Sequence, residues 1–117
     1  MTVSTHFKRE EFSCGCGCGF AVVDIQILEL LENIREEFGK PIIIHCAGRC
    51  LSHNKSVGSK DTSQHVKGMA VDFHIKDKEN NNTIVYDFLD HLIGSSGGLG
   101  LYDWGYHIDI RGYKARW

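Results

Sequence analysis

Residues 69–75, "MAVDFHI", alternate without a break. Met69, Val71, Phe73 and Ile75 project to one side, and Ala70, Asp72 and His74 to the other. Strict two-residue periodicity describes a strand buried on one face only. The chain must therefore build a sheet whose second face carries polar groups, with Asp72 in the middle of that face. A second stretch repeats the pattern. In "YHIDIR", Tyr106, Ile108 and Ile110 face the core while His107, Asp109 and Arg111 line the opposite side. After the glycine-rich loop "GSSGGLG", this stretch and "GLY", joined by "DWG", form a predicted hairpin.

The remaining elements follow from period and punctuation. Between Val22 and Phe38, Ile27, Leu31, Ile34 and Phe38 recur at three- and four-residue steps among glutamates. That spacing predicts an amphipathic helix, closed by Gly39 and Pro41. "PIIIHCA" then reads as a buried strand, and Thr83 is expected to cap a second helix running through Leu92 and Ile93. The order is helix, strand, polar loop, strand, helix, hairpin. It defines an α+β fold: one domain over residues 1–117, an antiparallel sheet with helices packed on one side.

Charge removes several functional classes. A formal net charge of −2 gives no electrostatic case for nucleic acid or an anionic membrane. No apolar run approaches the ~20 residues of a membrane span. The start, "MTVSTHFKREEF", has no apolar signal-peptide core, so the expected location is the cytoplasm of the producing cell, and a monomer is expected. Five cysteines are present, three of them crowded into "CGCGCG" (Cys14, Cys16, Cys18) and two further on (Cys46, Cys50). Without a secretory signal, thiols or a structural metal fit them better than a disulfide framework.

The polar faces of the two alternating strands hold the chemistry. His65 stands just before the first strand, directly after a long polar loop over residues 48–64 whose length is usually functional. If the strands are neighbours, His65, Asp72 and His107 meet. Two imidazoles and a carboxylate make a three-ligand zinc site with a fourth position for water, whose pKa zinc lowers to about 7. A nearby carboxylate then serves as general base. Taken singly, His65 reads as a surface histidine, Asp72 as a strand-end carboxylate, and His107 with Asp109 as the solvated face of a hairpin. Their joint placement is what points to metal.

These residues resemble a known family. Ser63, His65, Gly68, Ala70 and Asp72 form "S-x-H-x-x-G-x-A-x-D", which looks like the signature of the zinc D-alanyl-D-alanine carboxypeptidase-like peptidases. "AGRCLSHNKSVG" is similar to that family's Ser-Gly-Tyr-Arg segment and the asparagine after it. "GGLGLY…HIDIRG…ARW" and the opening "HFKREEFSCGCG" resemble the branch found in phage and bacterial cell-wall enzymes. The resemblance implies a hedgehog/D-Ala-D-Ala-carboxypeptidase-like fold. It also implies zinc held by His65, Asp72 and a residue of the last hairpin, and cleavage of peptidoglycan stem peptides as an endolysin or carboxypeptidase. Arg49 matches the arginine that grips a substrate carboxylate, and Ser63 a residue lining the substrate site.

The sequence departs from the family pattern in two places. Cys46-Ala47-Gly48 replaces the residues before the arginine. The acid that many relatives carry three residues before the last ligand is Trp104 here, with Asp103 one step further away. Either His107 binds zinc and Asp109 or Asp103 is the base, or Asp109 itself binds zinc. Imidazole is the commoner zinc partner, so His107 is favoured as ligand and Asp109 is the first choice of base. Cys14, Cys16 and Cys18, with Cys46 or Cys50, are candidates for a second, structural zinc. His74 reads as a solvated strand histidine, His45 as part of the sheet and His53 as a loop residue near substrate; His6 and His91 have no visible partners.

Two other classes of function compete with the peptidase. One is a non-catalytic zinc-binding module on the same scaffold, as in hedgehog signalling domains, serving as a phage structural component. The other is a cysteine-rich redox or metal-storage protein, which explains nothing downstream of "CGCGCG".

Overall fold

A computed structural model describes residues 4–14, 21, 23–48, 68–78 and 82–117. Five strands, β1 (Ile42–Cys46), β2 (Ala70–Ile75), β3 (Gly98–Tyr102), β4 (Gly105–Asp109) and β5 (Ala115–Arg116), form one sheet in the order β1-β2-β4-β3-β5. Among the described residues two helices, α1 (Ile25–Phe38) and α2 (Thr83–Ile93), accompany the sheet in an α+β architecture.

The two alternating stretches are indeed neighbours. β2 lies antiparallel to β4 with Asp72 opposite His107 and Ala70 opposite Asp109. β1 flanks β2, and β3 flanks β4, both antiparallel. The sheet is nevertheless mixed rather than wholly antiparallel, because β5 runs parallel to β3. The chain reverses once more after β4, through Gly112 at φ 95°, and the Gly112 N–H donates to Ser96 O at 2.8 Å. A two-residue strand has no alternation to read, so β5 carried no signal in the sequence.

Helix α1 begins at Ile25 rather than Val22, because Asp24 caps it by accepting from Gln26 N at 2.8 Å. Gly39 closes it in the left-handed conformation at φ 63°. For α2 the cap is Asn82 and not Thr83. Its Oδ1 accepts from Ile84 N at 2.9 Å and Val85 N at 3.2 Å, leaving Thr83 as the first helical residue. The apolar faces of both helices (Ile27, Leu31 and Ile34; Val85, Leu89 and Ile93) join Val71, Phe73, Leu99, Tyr106 and Ile108 from the sheet in one core. The N-terminal segment adds Phe7 and Phe12, which is how it is anchored.

That segment is also tied to α1 by charge. The backbone N–H of His6 donates to Glu32 at 2.7 Å and its ring meets the same carboxylate. Burial opposes ionisation of Glu32, but hydrogen bonds that include those from His6 outweigh it and hold its pKa below the ordinary value. A lowered carboxylate pKa stabilises the fold above the unfolded value of about 4.3, and that contribution is lost as pH falls through the folded pKa. Glu32→Gln should therefore be less stable than the wild type near neutrality by about 1 kcal/mol or less. The two should converge in acid, and melting curves across pH check this.

The register between β1 and β2 breaks between Ile44 and Cys46. The bulge gives β1 an extra residue at His45, and Cys46 falls opposite Asp72.

Candidate active site

Pairing sets the site. Because Asp72 and His107 face each other across β2 and β4, His107 Nδ1 lies 2.6 Å from Asp72 Oδ1. Asp109, two residues along the same strand, shares the face of His107, and its Oδ2 lies 2.8 Å from His107 Nε2. One imidazole is thus held between two carboxylates. Of the ligands expected from the sequence, Asp72 and His107 are brought together. His65 lies outside the described residues, as do Arg49, Ser63 and His53.

The polar face of β4 is not solvated. His107 and Asp109 are both buried, Asp109 completely. Its carboxylate is saturated with donors. Oδ1 accepts from Gly98 N at 3.0 Å, Arg111 N at 3.2 Å and Arg111 Nε at 2.9 Å, and Oδ2 from Arg111 Nη2 at 2.7 Å as well as from His107. Burial alone would raise its pKa, but the hydrogen bonds from His107 and Arg111 overcome that and hold the carboxyl well below the usual range. Arg111 is correspondingly pushed up by Asp109.

Glycines make the room. A Cβ on Gly98 would stand 2.6 Å from Asp109 Oδ2, and one on Gly100 would stand 2.6 Å from the Trp117 indole. Trp117 covers this end of the sheet, its ring 4.9 Å from that of His107 and 5.1 Å from the Arg111 guanidinium. Arg111 and Trp117 escaped the sequence reading as site residues. The one available signal was the pair of glycines in "GLG", spaced to face His107 and Asp109 across the hairpin.

A second group occupies the β1 side of the same face. His45 Nε2 lies 2.6 Å from His74 Nδ1, and the His45 ring is 4.6 Å from Trp104, which stacks on Tyr102. Burial and the neighbouring His45 lower the pKa of His74. His74 is therefore a partly exposed histidine paired with His45. His6 likewise has a partner, Glu32. Asp103 is exposed in the turn between β3 and β4.

Among the described residues, no group of three or more His, Cys, Asp or Glu side chains is placed to hold a metal. The expected second zinc finds no support there. Cys14 is buried and Cys46 half-buried, while Cys16, Cys18 and Cys50 lie outside the described residues. For the first zinc, the described residues do supply an imidazole and a carboxylate side by side, two donors of a three-ligand zinc set. The far nitrogen of that imidazole meets a second carboxylate, the arrangement that orients metal-bound histidines. The donors fit the ion.

An α+β domain that presents a braced His–Asp pair across its central strands has the design of a metallohydrolase. The family model described as Peptidase M15 matches residues 5–109, and the chain belongs to this family. It is a peptidase, of a family that is zinc-dependent in general. No curated protein matches the chain. Among the described residues no helix is long and apolar enough to cross a membrane.

Proposed function

We propose that the protein is a zinc-dependent peptidase that hydrolyses D-amino-acid-containing bonds in peptidoglycan stem peptides, of endolysin or carboxypeptidase type. The observation that carries the reading is the opposition of Asp72 and His107, with the imidazole held at its other nitrogen by Asp109. His65, Asp72 and His107 would hold the ion. Bound zinc would act as a Lewis acid on the scissile carbonyl and activate water.

The chain's own residues divide the remaining work. Arg49 grips a substrate carboxylate through its planar fork, and Ser63 lines the substrate site. Asp109 is a poor proton acceptor in this geometry, since taking a proton means giving up hydrogen bonds to Arg111, Gly98 and His107. The base is then Asp103, the other acid that the sequence offers on the hairpin. Asp103→Asn should keep zinc and lose on the order of 10²–10⁴ in turnover, the usual share of a positioned base. Full turnover by that variant would remove Asp103 from the mechanism.

Zinc-loaded protein incubated with purified peptidoglycan should release stem peptides, whose masses name the bond. Zinc binding with no released peptide would show instead the non-catalytic module. Arg49→Lys should raise KM roughly tenfold or more on substrates with a free carboxylate, because a point charge does not reproduce a bidentate pair. Unchanged KM on every peptide cleaved would make Arg49 structural.

A further inference from the structure

Four side chains at the β4 end of the site form a closed circuit. His107 meets Asp109 at 2.8 Å, Asp109 meets Arg111 through two parallel contacts of 2.9 and 2.7 Å, and Arg111 lies 5.1 Å from Trp117. Trp117 returns to the His107 ring at 4.9 Å. The guanidinium also sits 5.5 Å from the Tyr113 ring, so aromatic faces limit where it can swing. Arg111, Tyr113 and Trp117 all lie beyond residue 109, where the family match ends.

We propose that Arg111 is a positioning residue: it fixes the Asp109 carboxylate, which keeps a proton on His107 Nε2 and turns Nδ1 toward Asp72. The inference rests on His107 being a metal ligand, as proposed above. The reasoning is one of hydrogen-bond inventory. A carboxylate only accepts, so the nitrogen facing Asp109 must carry hydrogen. The ring can then offer a lone pair to a metal only from Nδ1, and Nδ1 is the atom beside Asp72. Nδ1 faces a carboxylate as well, so the assignment concerns the metal-bound ring: an ion shared with Asp72 would take the place of hydrogen at Nδ1, while Nε2 keeps its hydrogen toward Asp109. Without Arg111 the carboxylate would be buried with its charge poorly matched, and free to rotate away from Nε2.

Asparagine at position 109 sharpens the test. Gly98 N–H, Arg111 N–H and Arg111 Nε–H all converge on Oδ1. With three donors there against the one from Arg111 Nη2 at the other position, an asparagine places its carbonyl oxygen at the Oδ1 site, which costs the contact with Arg111 Nη2 and aims its amide NH₂ at His107 Nε2. That nitrogen becomes the acceptor, and the proton moves to Nδ1, where it blocks the metal.

The experiment reads metal binding and not turnover. Full-length protein carrying isotope-labelled histidine and loaded with an NMR-active cadmium isotope should show coupling of the metal to His107 Nδ1, with a proton on Nε2. Zinc affinity, measured by chelator competition, should fall about 10–100-fold in Asp109→Asn, the usual cost of removing such a partner. Arg111→Ala should lose affinity as well, and Arg111→Lys should recover part of the loss by restoring one charged donor. Thermal melts on each variant show that it is folded; should Asp109→Asn fail to fold, the two Arg111 variants decide. Coupling through Nε2, or a folded Arg111→Ala with wild-type zinc affinity, overturns the positioning role. Absence of any coupling to His107 overturns the metal assignment on which it rests. A protein that binds metal as described yet cleaves no peptide would refute the peptidase reading and leave this inference standing.

Discussion

Asp72→Ala is expected to abolish both zinc retention and peptide hydrolysis while leaving most of the fold in place. Asp72 sits on the polar side of β2, partly exposed, so its removal leaves Val71 and Phe73 in the core undisturbed. It does leave His107 with one carboxylate partner in place of two. Loss of a ligand from a three-residue set should lower turnover at least about 10³-fold, or about 4 kcal/mol of transition-state stabilisation. Pairing it with His65→Ala should add little, because either change alone already empties the site. Elemental analysis of the purified variants checks the metal directly. Wild-type zinc in the double variant would refute the assignment of both ligands, and a Cys14→Ser/Cys16→Ser background, which breaks up the expected four-cysteine set, controls for ion bound there.

The second large effect is expected from a single methyl group. Gly98→Ala would place a Cβ 2.6 and 2.8 Å from the two carboxylate oxygens of Asp109. The carboxylate is buried and fixed by Arg111, so it can retreat only by breaking that pair or the bond to His107. Disrupting one partner of a buried charge pair costs about 3–5 kcal/mol, which for a domain of this size lowers Tm by more than about 10 °C. Zinc affinity should fall with it, since His107 loses its brace. Ser95→Ala, on the exposed turn before β3, should change neither. A Gly98→Ala protein that melts within about 2 °C of the wild type would mean that Asp109 moves freely, against the network described here.

Much of the scaffold was legible because it rests on period. The alternation of 69–75 and of 106–110 marked two half-buried strands, and the structure pairs them as β2 and β4. The spacing of Ile27, Leu31 and Ile34 marked α1, and those residues are fully buried. Local rules were less exact at the ends of elements. Asparagine and threonine both cap helices, and only the backbone conformation at Asn82 settled which one did.

What the sequence by itself determined is the face that Asp72, His107 and Asp109 share. Period-two geometry obliges Asp72 to one side of its strand and His107 with Asp109 to one side of theirs, whatever the rest of the chain does. Tertiary structure alone decided which partners those side chains meet. Alternation cannot say whether a polar face meets water, and here Trp117, just after a two-residue strand, packs beside His107. Burial then changes the chemistry. Asp109 is sealed from water, forked by Arg111 and in contact with His107, and those hydrogen bonds hold its carboxyl well below the usual range despite burial. Charge in a site closed to solvent is governed by its nearest partners, and those partners come together only through strand order and the path of the chain after Asp109.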